Sequence, residues 1–262
     1  MTVILVRHGR STANTSGVLA GRTPGVSLDE KGREQADALL GRLGVCFDEI
    51  SAVARSPLER CAQTVAPLLP ALNADPAREV PELVVDALAE VDYGGWTNRP
   101  IKDLVKEPLW TTVQQHPSAA VFPDGEGLAA VQSRAVAAIR DLDRRFGGPD
   151  GSGIWLACSH GDVIKAIIAD AMGMHLDSFQ RIVVEPASIS VIRYSPTRPY
   201  VHTVNSTAVL SVPKPPKEKP GEGSGEVTAD DAVVGGSTGA DEPASPQRDQ
   251  TPDAAATPAT RG

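Results

Sequence analysis

The stretch TVILVRHG, residues 2–9, decides the fold class, because a buried strand in it runs directly into a polar turn. Residues 2–6 are β-branched or leucine without alternation, which is typical of a strand covered on both faces, as in a parallel sheet. Further strands are predicted at residues 50–54, 154–158, 188–194 and 201–204.

Amphipathic helices separate these strands. Two capping-box patterns, Ser27 with Glu30 and Ser56 with Glu59, predict helix starts after the first and second strands. Apolar residues at helical spacing predict further helices over residues 128–146 and 162–172. Because strands alternate with helices, we expect an α/β fold, a three-layer α/β/α sandwich around a mostly parallel sheet.

Two segments depart from this alternation. Residues 91–125 are interrupted by glycines and prolines, and such an irregular stretch predicts a lid or a wall of a binding site. Residues 213–262 hold no aromatic side chain, and carry five basic and nine acidic residues. This composition cannot bury enough apolar surface to offset chain entropy, so we expect a disordered acidic tail behind one domain at residues 1–212.

The overall composition limits the function classes. The 262 residues have a net charge of −8, which argues against nucleic acid as a partner. No segment has the roughly 20 apolar residues that span a membrane, and the first apolar run is too short for a signal peptide. Cys46, Cys61 and Cys158 have no metal-site or disulfide spacing, so we expect buried thiols, no metal and a cytoplasmic location.

Polar residues follow three of the predicted strands. Arg7 and His8 end the first, Arg60 lies just after the second, and His160 with Gly161 ends another. The carboxyl ends of neighbouring parallel strands line one crevice, so these side chains are expected to converge beside helix N-termini. Planar guanidinium groups suit a phosphate, and the sequence therefore predicts a phosphate site. The remaining histidines, His116, His175 and His202, are expected at the surface or in packing.

These residues resemble the histidine phosphatase superfamily, also called the phosphoglycerate mutase-like group. The resemblance runs in order across residues 2–205. It comprises Arg7-His8-Gly9, Leu28, Gly32, Gln35, Ala36, Ser56-Pro57-Leu58, Arg60, Gln63-Thr64, Leu88-Ala89-Glu90, Gly95-Trp96, Pro123-Asp124-Gly125-Glu126 and Ser159-His160-Gly161.

The resemblance implies a catalytic role for five residues. His8 is expected to be the nucleophile, attacking in its neutral form and becoming a phosphohistidine. Arg7, Arg60 and His160 are expected to hold the phosphoryl oxygens without a metal or other cofactor. Glu90 is expected to protonate the leaving oxygen and then to take a proton from the incoming water.

Further family positions point to the substrate. Asn14 and Gly161 match phosphate-contacting positions, and Gly21 and Thr23 lie in a loop that is expected to form the substrate rim. Arg10 stands where many members have an acidic residue, and it is either a basic rim residue or a solvated side chain.

The resemblance implies hydrolysis of a small-molecule phosphomonoester. A phosphoglycerate-type mutase is the alternative, and the short span between Glu90 and His160 favours hydrolysis. A non-catalytic phosphate-binding module is the third possibility, which the intact catalytic set disfavours. The sequence leaves the oligomeric state open, a homo-oligomer included.

Overall fold

A central sheet organises the molecule, for which a computed structural model describes residues 1–148 and 150–208. In this part of the chain the sheet has six strands, in the order β3-β2-β4-β1-β5-β6. They are β1 (Thr2–Arg7), β2 (Ile50–Arg55), β3 (Glu82–Val84), β4 (Ile154–Ser159), β5 (Ile189–Tyr194) and β6 (Pro199–Ser206). The first four are mutually parallel. Strand β5 pairs with β1, and β6 pairs with β5, and both of these pairings are antiparallel.

Helices cover both faces of this sheet. They are α1 (Thr12–Ser16), α2 (Glu30–Leu43), α3 (Glu59–Val65), α4 (Leu68–Leu72), α5 (Ile101–Leu104), α6 (Pro108–Gln115), α7 (Leu128–Phe146) and α8 (Gly161–Ala171). Successive β1 residues point to opposite faces: Val3 and Leu5 pack with α7 and α8, whereas Ile4 and Val6 pack with α2, α3 and α4. This two-sided burial explains the unbroken apolar run, and it confirms the predicted α/β fold.

Two helix starts differ from the predicted capping boxes. Asp29, not Ser27, caps α2, because its carboxylate accepts a hydrogen bond from the Gly32 amide at 2.7 Å. No side chain caps α3, which begins at Glu59. The Ser56 amide instead donates to the Cys158 carbonyl at 3.0 Å and extends the pairing of β2 with β4 beyond Arg55. The Ser56 hydroxyl lies 2.8 Å from the His160 Nε2, and it accepts a hydrogen bond from the Leu58 amide, just before α3, at 3.3 Å.

The segment 91–125 is more ordered than its sequence suggests. It contains α5 and α6, and three aromatic side chains hold it against the core. Trp96 lies 6.1 Å from Trp110 and 5.3 Å from Phe122 between ring centroids, and all three are buried. Aromatic packing therefore replaces the apolar periodicity that the sequence lacks here.

The predicted tail at residues 213–262 and the predicted domain boundary after residue 212 lie outside the described residues. Among the helices of residues 1–148 and 150–208, none is long and apolar enough to cross a membrane.

Candidate active site

Parallel pairing of β1 and β4 brings the two histidines together. Arg7 is in register with Ser159, and the His8 amide donates to the Ser159 carbonyl at 3.0 Å. The imidazole rings of His8 and His160 are 5.2 Å apart between centroids. The expected convergence at the carboxyl ends of these strands is confirmed, since β2 lies beside β4 and α3 brings Arg60 to the same point.

His8 has a fixed tautomer. Its Nδ1 lies 2.7 Å from the Gly9 carbonyl oxygen, which can only accept, so in the neutral ring Nδ1 carries the proton. Nε2 then keeps its lone pair and accepts a hydrogen bond from the Arg60 Nε at 3.2 Å. Burial, with Arg60 and Arg7 nearby, lowers the pKa of His8 well below its usual value. The ring is therefore neutral near pH 7 and has a nucleophilic nitrogen in the pocket.

Arg60 is buried, although it carries a charge. Its Nη2 donates to the Gly21 carbonyl at 2.9 Å, while its buried Nη1 has no hydrogen-bond partner among the described residues. Gly21 has φ +52°, and an added Cβ would lie 3.1 Å from the Tyr93 ring. Only glycine fits this conformation without strain, so Gly21 orients the guanidinium group through its backbone.

Arg7 and His160 also lie next to His8 and complete this buried group of side chains. Arg7 is fully buried and its Nη1 donates to the Val184 carbonyl at 2.7 Å. The His160 Nε2 is 2.8 Å from the Ser56 hydroxyl, and its buried Nδ1 lacks a hydrogen-bond partner in the described part of the chain. Burial, then Arg60 and His8, lower the pKa of His160 well below its usual value, so this ring is also neutral.

Glu90 lies on the opposite side of His160 from Ser56. Its Oε2 is 3.8 Å from the His160 Nδ1, and its Oε1 accepts from the Val91 amide at 2.9 Å. Burial and the nearby carboxylate of Asp162 raise the pKa of Glu90 to about 7, against the opposing effect of Arg60. Near neutral pH the carboxyl therefore exists in both protonation states, as an acid–base catalyst requires.

Asp162 belongs to a buried polar cluster next to Glu90. The Tyr93 hydroxyl donates to its Oδ2 at 2.8 Å, and the Lys165 ammonium lies 3.4 Å from its Oδ1. Sequence reasoning did not identify this carboxylate as functional, although it directly follows Gly161, the first residue of α8.

The Glu126 clamp, which we define as Arg22, Glu126 and Arg134, was also missed. Both oxygens of Glu126 accept from Arg134, and Oε2 also accepts from Arg22. Both arginines donate to the Glu90 carbonyl, Arg22 at 2.8 Å and Arg134 at 3.2 Å. The only signal in the sequence was the place of Glu126 in the family resemblance.

The predicted rim and phosphate residues have structural partners. The Asn14 oxygen accepts from the Ser11 amide at 2.9 Å and caps α1. Arg10 pairs with Asp29 at 2.7 Å, which favours a structural role over a place on the rim. Thr23 is half-buried, and its hydroxyl donates to the Asn98 side-chain oxygen at 2.9 Å.

Gly9 allows the chain to pack closely against a helix. A Cβ there would lie 2.6 Å from the Gly32 carbonyl oxygen, so glycine is required for close packing against the start of α2. The other sequence expectations concern histidines and cysteines. His116, His175 and His202 are exposed, as predicted. Cys61 and Cys158 are buried free thiols, whereas Cys46 is only half-buried.

Among the described residues, no group of three or more His, Cys, Asp or Glu side chains is placed to hold a metal ion. The chemistry of the pocket instead lies in two buried guanidinium groups, two neutral imidazoles and one carboxyl group of raised pKa. This set can bind a phosphoryl group, attack it with nitrogen and exchange one proton with a bound oxygen.

Comparison with known proteins agrees with this chemistry. The model of the histidine phosphatase superfamily (branch 1) matches residues 3–207, and the chain belongs to this family. It is 30% identical over 215 residues to the adenosylcobalamin/alpha-ribazole phosphatase of Escherichia coli, covering 80% of this chain and 98% of that protein. It is 26% identical over 211 residues to phosphoserine phosphatase 1 of Hydrogenobacter thermophilus, with 79% and 93% covered.

A solved structure has the same architecture. The alpha-ribazole phosphatase from Shigella flexneri superimposes with a TM-score of 0.66 at 26% identity, covering 81% of this chain and all of that one.

Proposed function

We propose that this chain is a metal-independent phosphatase that hydrolyses small-molecule phosphomonoesters through a phosphohistidine at His8. The observation that carries the proposal is the neutral His8, whose Nε2 keeps its lone pair, in the same buried cluster as a carboxyl group whose pKa is about 7. Membership of the histidine phosphatase superfamily and relatives that are named phosphatases support phosphomonoester hydrolysis.

In the first half-reaction, His8 attacks the phosphorus atom in line with the ester oxygen. The Nε2–P bond forms, the P–O bond breaks, and the protonated carboxyl of Glu90 gives its proton to the leaving oxygen. The products are the free alcohol, a phosphohistidine and the Glu90 carboxylate. Because the Gly9 carbonyl accepts from Nδ1, it also stabilises the positive charge that develops on the ring during attack.

In the second half-reaction, the Glu90 carboxylate takes a proton from water as the water oxygen attacks phosphorus. The N–P bond breaks, its electron pair returns to Nε2, and inorganic phosphate leaves. Each cycle consumes one ester and one water and returns Glu90 to its protonated form. A pKa near 7 serves both roles, because neither protonation state is costly at neutral pH.

The two guanidinium groups provide the charge that a metal ion provides in other phosphoryl-transfer sites. A loose transition state carries its charge on the equatorial phosphoryl oxygens, so fixed cations stabilise it without covalent chemistry. Arg60 can move its Nε hydrogen bond from His8 to a phosphoryl oxygen, which exposes the lone pair of Nε2 only when substrate is bound.

The relatives suggest the first substrates to test. Their names specify alpha-ribazole phosphate and phosphoserine, and we propose a similar small phosphate ester of an alcohol for this chain. The assay should measure inorganic phosphate release from a panel that contains both compounds and 3-phosphoglycerate. Movement of phosphate to another hydroxyl of 3-phosphoglycerate, without release, would instead identify the mutase alternative.

A leaving-group test addresses the role of Glu90. Glu90→Gln leaves His8 and the arginines in place and removes only the transferable proton, a contribution of typically ~10²–10⁴-fold. The loss should be large for an alkyl phosphate and small for p-nitrophenyl phosphate, because nitrophenolate leaves without a proton. Rapid-quench measurement of the first turnover isolates this step.

The matched control is His8→Ala, which removes the attacking nitrogen and should abolish the first turnover of both esters equally. Equal losses for both esters in Glu90→Gln would show that another group is the acid.

A further inference from the structure

The backbone around Glu90 lacks the support of regular secondary structure. Residues 89–93 belong to neither a helix nor a strand, so no ladder of backbone hydrogen bonds fixes this segment. A general acid nevertheless must stay within hydrogen-bond reach of the leaving oxygen, and a misplacement of 1 Å can cost about 100-fold in rate. Other contacts therefore have to position the Glu90 carboxyl group.

The Glu126 clamp provides these contacts at the Glu90 carbonyl. Arg22 comes from the loop after α1 and Arg134 from α7, so the same carbonyl oxygen is held from two separate elements. Arg134 also donates to the Ala87 carbonyl at 2.7 Å, which fixes the chain three residues before Glu90.

Glu126 orients both arginines and holds the chain on the other side of Glu90. Arg134 forms a two-point pair with its carboxylate, with both distances at 2.9 Å, and Arg22 donates to it at 2.8 Å. The Asp92 amide donates to Oε2 of Glu126 at 3.0 Å, and the Glu126 amide donates back to the Asp92 carbonyl at 2.8 Å. The clamp thus fixes the segment both before and after Glu90.

The loop that carries Glu126 is itself tightly packed against this segment. A Cβ on Gly94 would lie 2.0 Å from the Pro123 carbonyl, and a Cβ on Gly125 would lie 2.4 Å from the Asp92 carbonyl. Both glycines are therefore required for backbone-to-backbone contact, and the loop has little freedom to shift.

We propose that Glu126 is a positioning residue for the reaction. It acts through Arg22 and Arg134 to hold the Glu90 carboxyl group in the position required for proton transfer. Glu126 itself touches Arg22, Arg134 and the Asp92 amide, and its effect on catalysis is transmitted by the Glu90 main chain. The inference rests on the proposed function, because it assigns Glu126 to the same proton-transfer step.

The test uses Glu126→Gln in the full chain, with an alkyl phosphate and p-nitrophenyl phosphate as the two probes. The amide keeps the size of the side chain but turns one acceptor into a donor, which faces the N–H groups of the clamp. First-turnover rates should fall on the order of 10- to 100-fold for the alkyl ester. They should fall less than 3-fold for p-nitrophenyl phosphate, which does not need the acid. A loss of stability alone would lower both rates equally.

A double variant, Glu126→Gln with Glu90→Gln, tests whether Glu126 acts through Glu90 or independently of it. If Glu126 acts through Glu90, adding Glu126→Gln to Glu90→Gln should change the alkyl-ester rate less than 2-fold, because the proton is already lost. A further loss as large as in the single variant would overturn the inference. The control is Asp170→Asn, which removes the carboxylate partner of Arg140 on the same α7 helix and should leave both rates unchanged.

Two outcomes keep this inference distinct from the proposed function. If Glu126→Gln does not fold, Arg22→Ala takes its place, because the Arg22 side chain is 37% exposed. This variant should also lose more rate with the alkyl ester than with p-nitrophenyl phosphate, but the loss should be smaller than in Glu126→Gln. If the rate losses for the two esters differ in Glu90→Gln but are equal in Glu126→Gln and in Arg22→Ala, the inference is overturned and the proposed function is not. Wild-type protein that hydrolyses neither ester would overturn the proposed function and the inference together.

Discussion

Removing the Glu90 carboxylate should make the protein more stable at alkaline pH while it disables catalysis. The folded-state pKa of Glu90 is about 7, raised from an ordinary 4.5 by burial and by Asp162. The unfolded chain therefore loses this proton at lower pH than the folded chain, and stability falls as the pH rises from 4.5 to 7. A tenfold change in proton affinity is worth about 1.4 kcal/mol, so the ionised group costs on the order of 3 kcal/mol at pH 8.

The assay compares the melting temperatures of wild type and Glu90→Gln between pH 4.5 and 8. For a domain of about 200 residues, 1 kcal/mol corresponds to about 2–4 °C, so the variant should melt roughly 6–12 °C higher at pH 8. The difference should be smallest at pH 4.5, where the folded wild-type carboxyl is protonated and the unfolded one is half protonated. His8 and His160 also titrate, but their effect is common to both proteins and cancels in the difference.

Glu126→Gln is the control, because its effect on stability should have the opposite sign. Burial acts to raise the pKa of Glu126, but the hydrogen bonds from Arg134 and the Asp92 amide outweigh it and lower the pKa below its usual value. This variant should therefore be destabilised most above pH 4.5, with the difference disappearing as the pH falls below that value. A Glu90→Gln difference that does not change between pH 5 and 8 would refute the reasoning that Glu90 is a buried acid with a raised pKa.

Three further predictions follow from the site and the sequence. Hydrolysis of p-nitrophenyl phosphate should persist in excess EDTA, because guanidinium groups provide the charge; activity lost to EDTA and restored by magnesium would contradict metal independence. For an alkyl phosphate, kcat/KM should fall above pH about 7 as Glu90 ionises, and Asp162→Asn should move this fall to lower pH, because the Asp162 charge raises the pKa of Glu90. Deleting residues 213–262 should leave activity and Tm nearly unchanged, and a Tm drop of more than about 5 °C would contradict the composition-based prediction of a disordered tail.

The sequence was sufficient to predict five of the six described strands and the residues at the carboxyl ends of β1 and β4. Strands β1 and β4 are buried on both faces, so they carry continuous apolar runs that mark them clearly. The convergence of His8 and His160 then follows from parallel pairing alone. Strand β3 was not predicted, because it has three residues and its outer side chains, Glu82 and Val84, are exposed.

The residues that position Glu90 could not be predicted from the sequence. Arg22 lies 104 residues before Glu126, and charged residues such as these three are in most cases solvated at the surface. Their association depends on side-chain hydrogen bonds to the Glu90 carbonyl, which no periodicity encodes. The Ser56 prediction failed for a related reason: the sequence has the helix-capping pattern, but a backbone hydrogen bond to β4 and the contact with His160 determine the orientation of Ser56.

The charge balance of the pocket explains why a dianionic phosphoryl group suits it. His8 and His160 are neutral, and Glu90 is only partly ionised near pH 7, so none of them fully compensates the buried guanidinium group of Arg60. A buried N–H without a partner, such as the Arg60 Nη1, is costly in the free protein. A phosphoryl group would bring both charge and acceptor oxygens to this position, and under the proposed mechanism it would take over the Arg60 Nε hydrogen bond from His8. Under the proposed mechanism, binding of a phosphate ester and release of the His8 lone pair are therefore one event, and until then His8 stays hydrogen-bonded to Arg60.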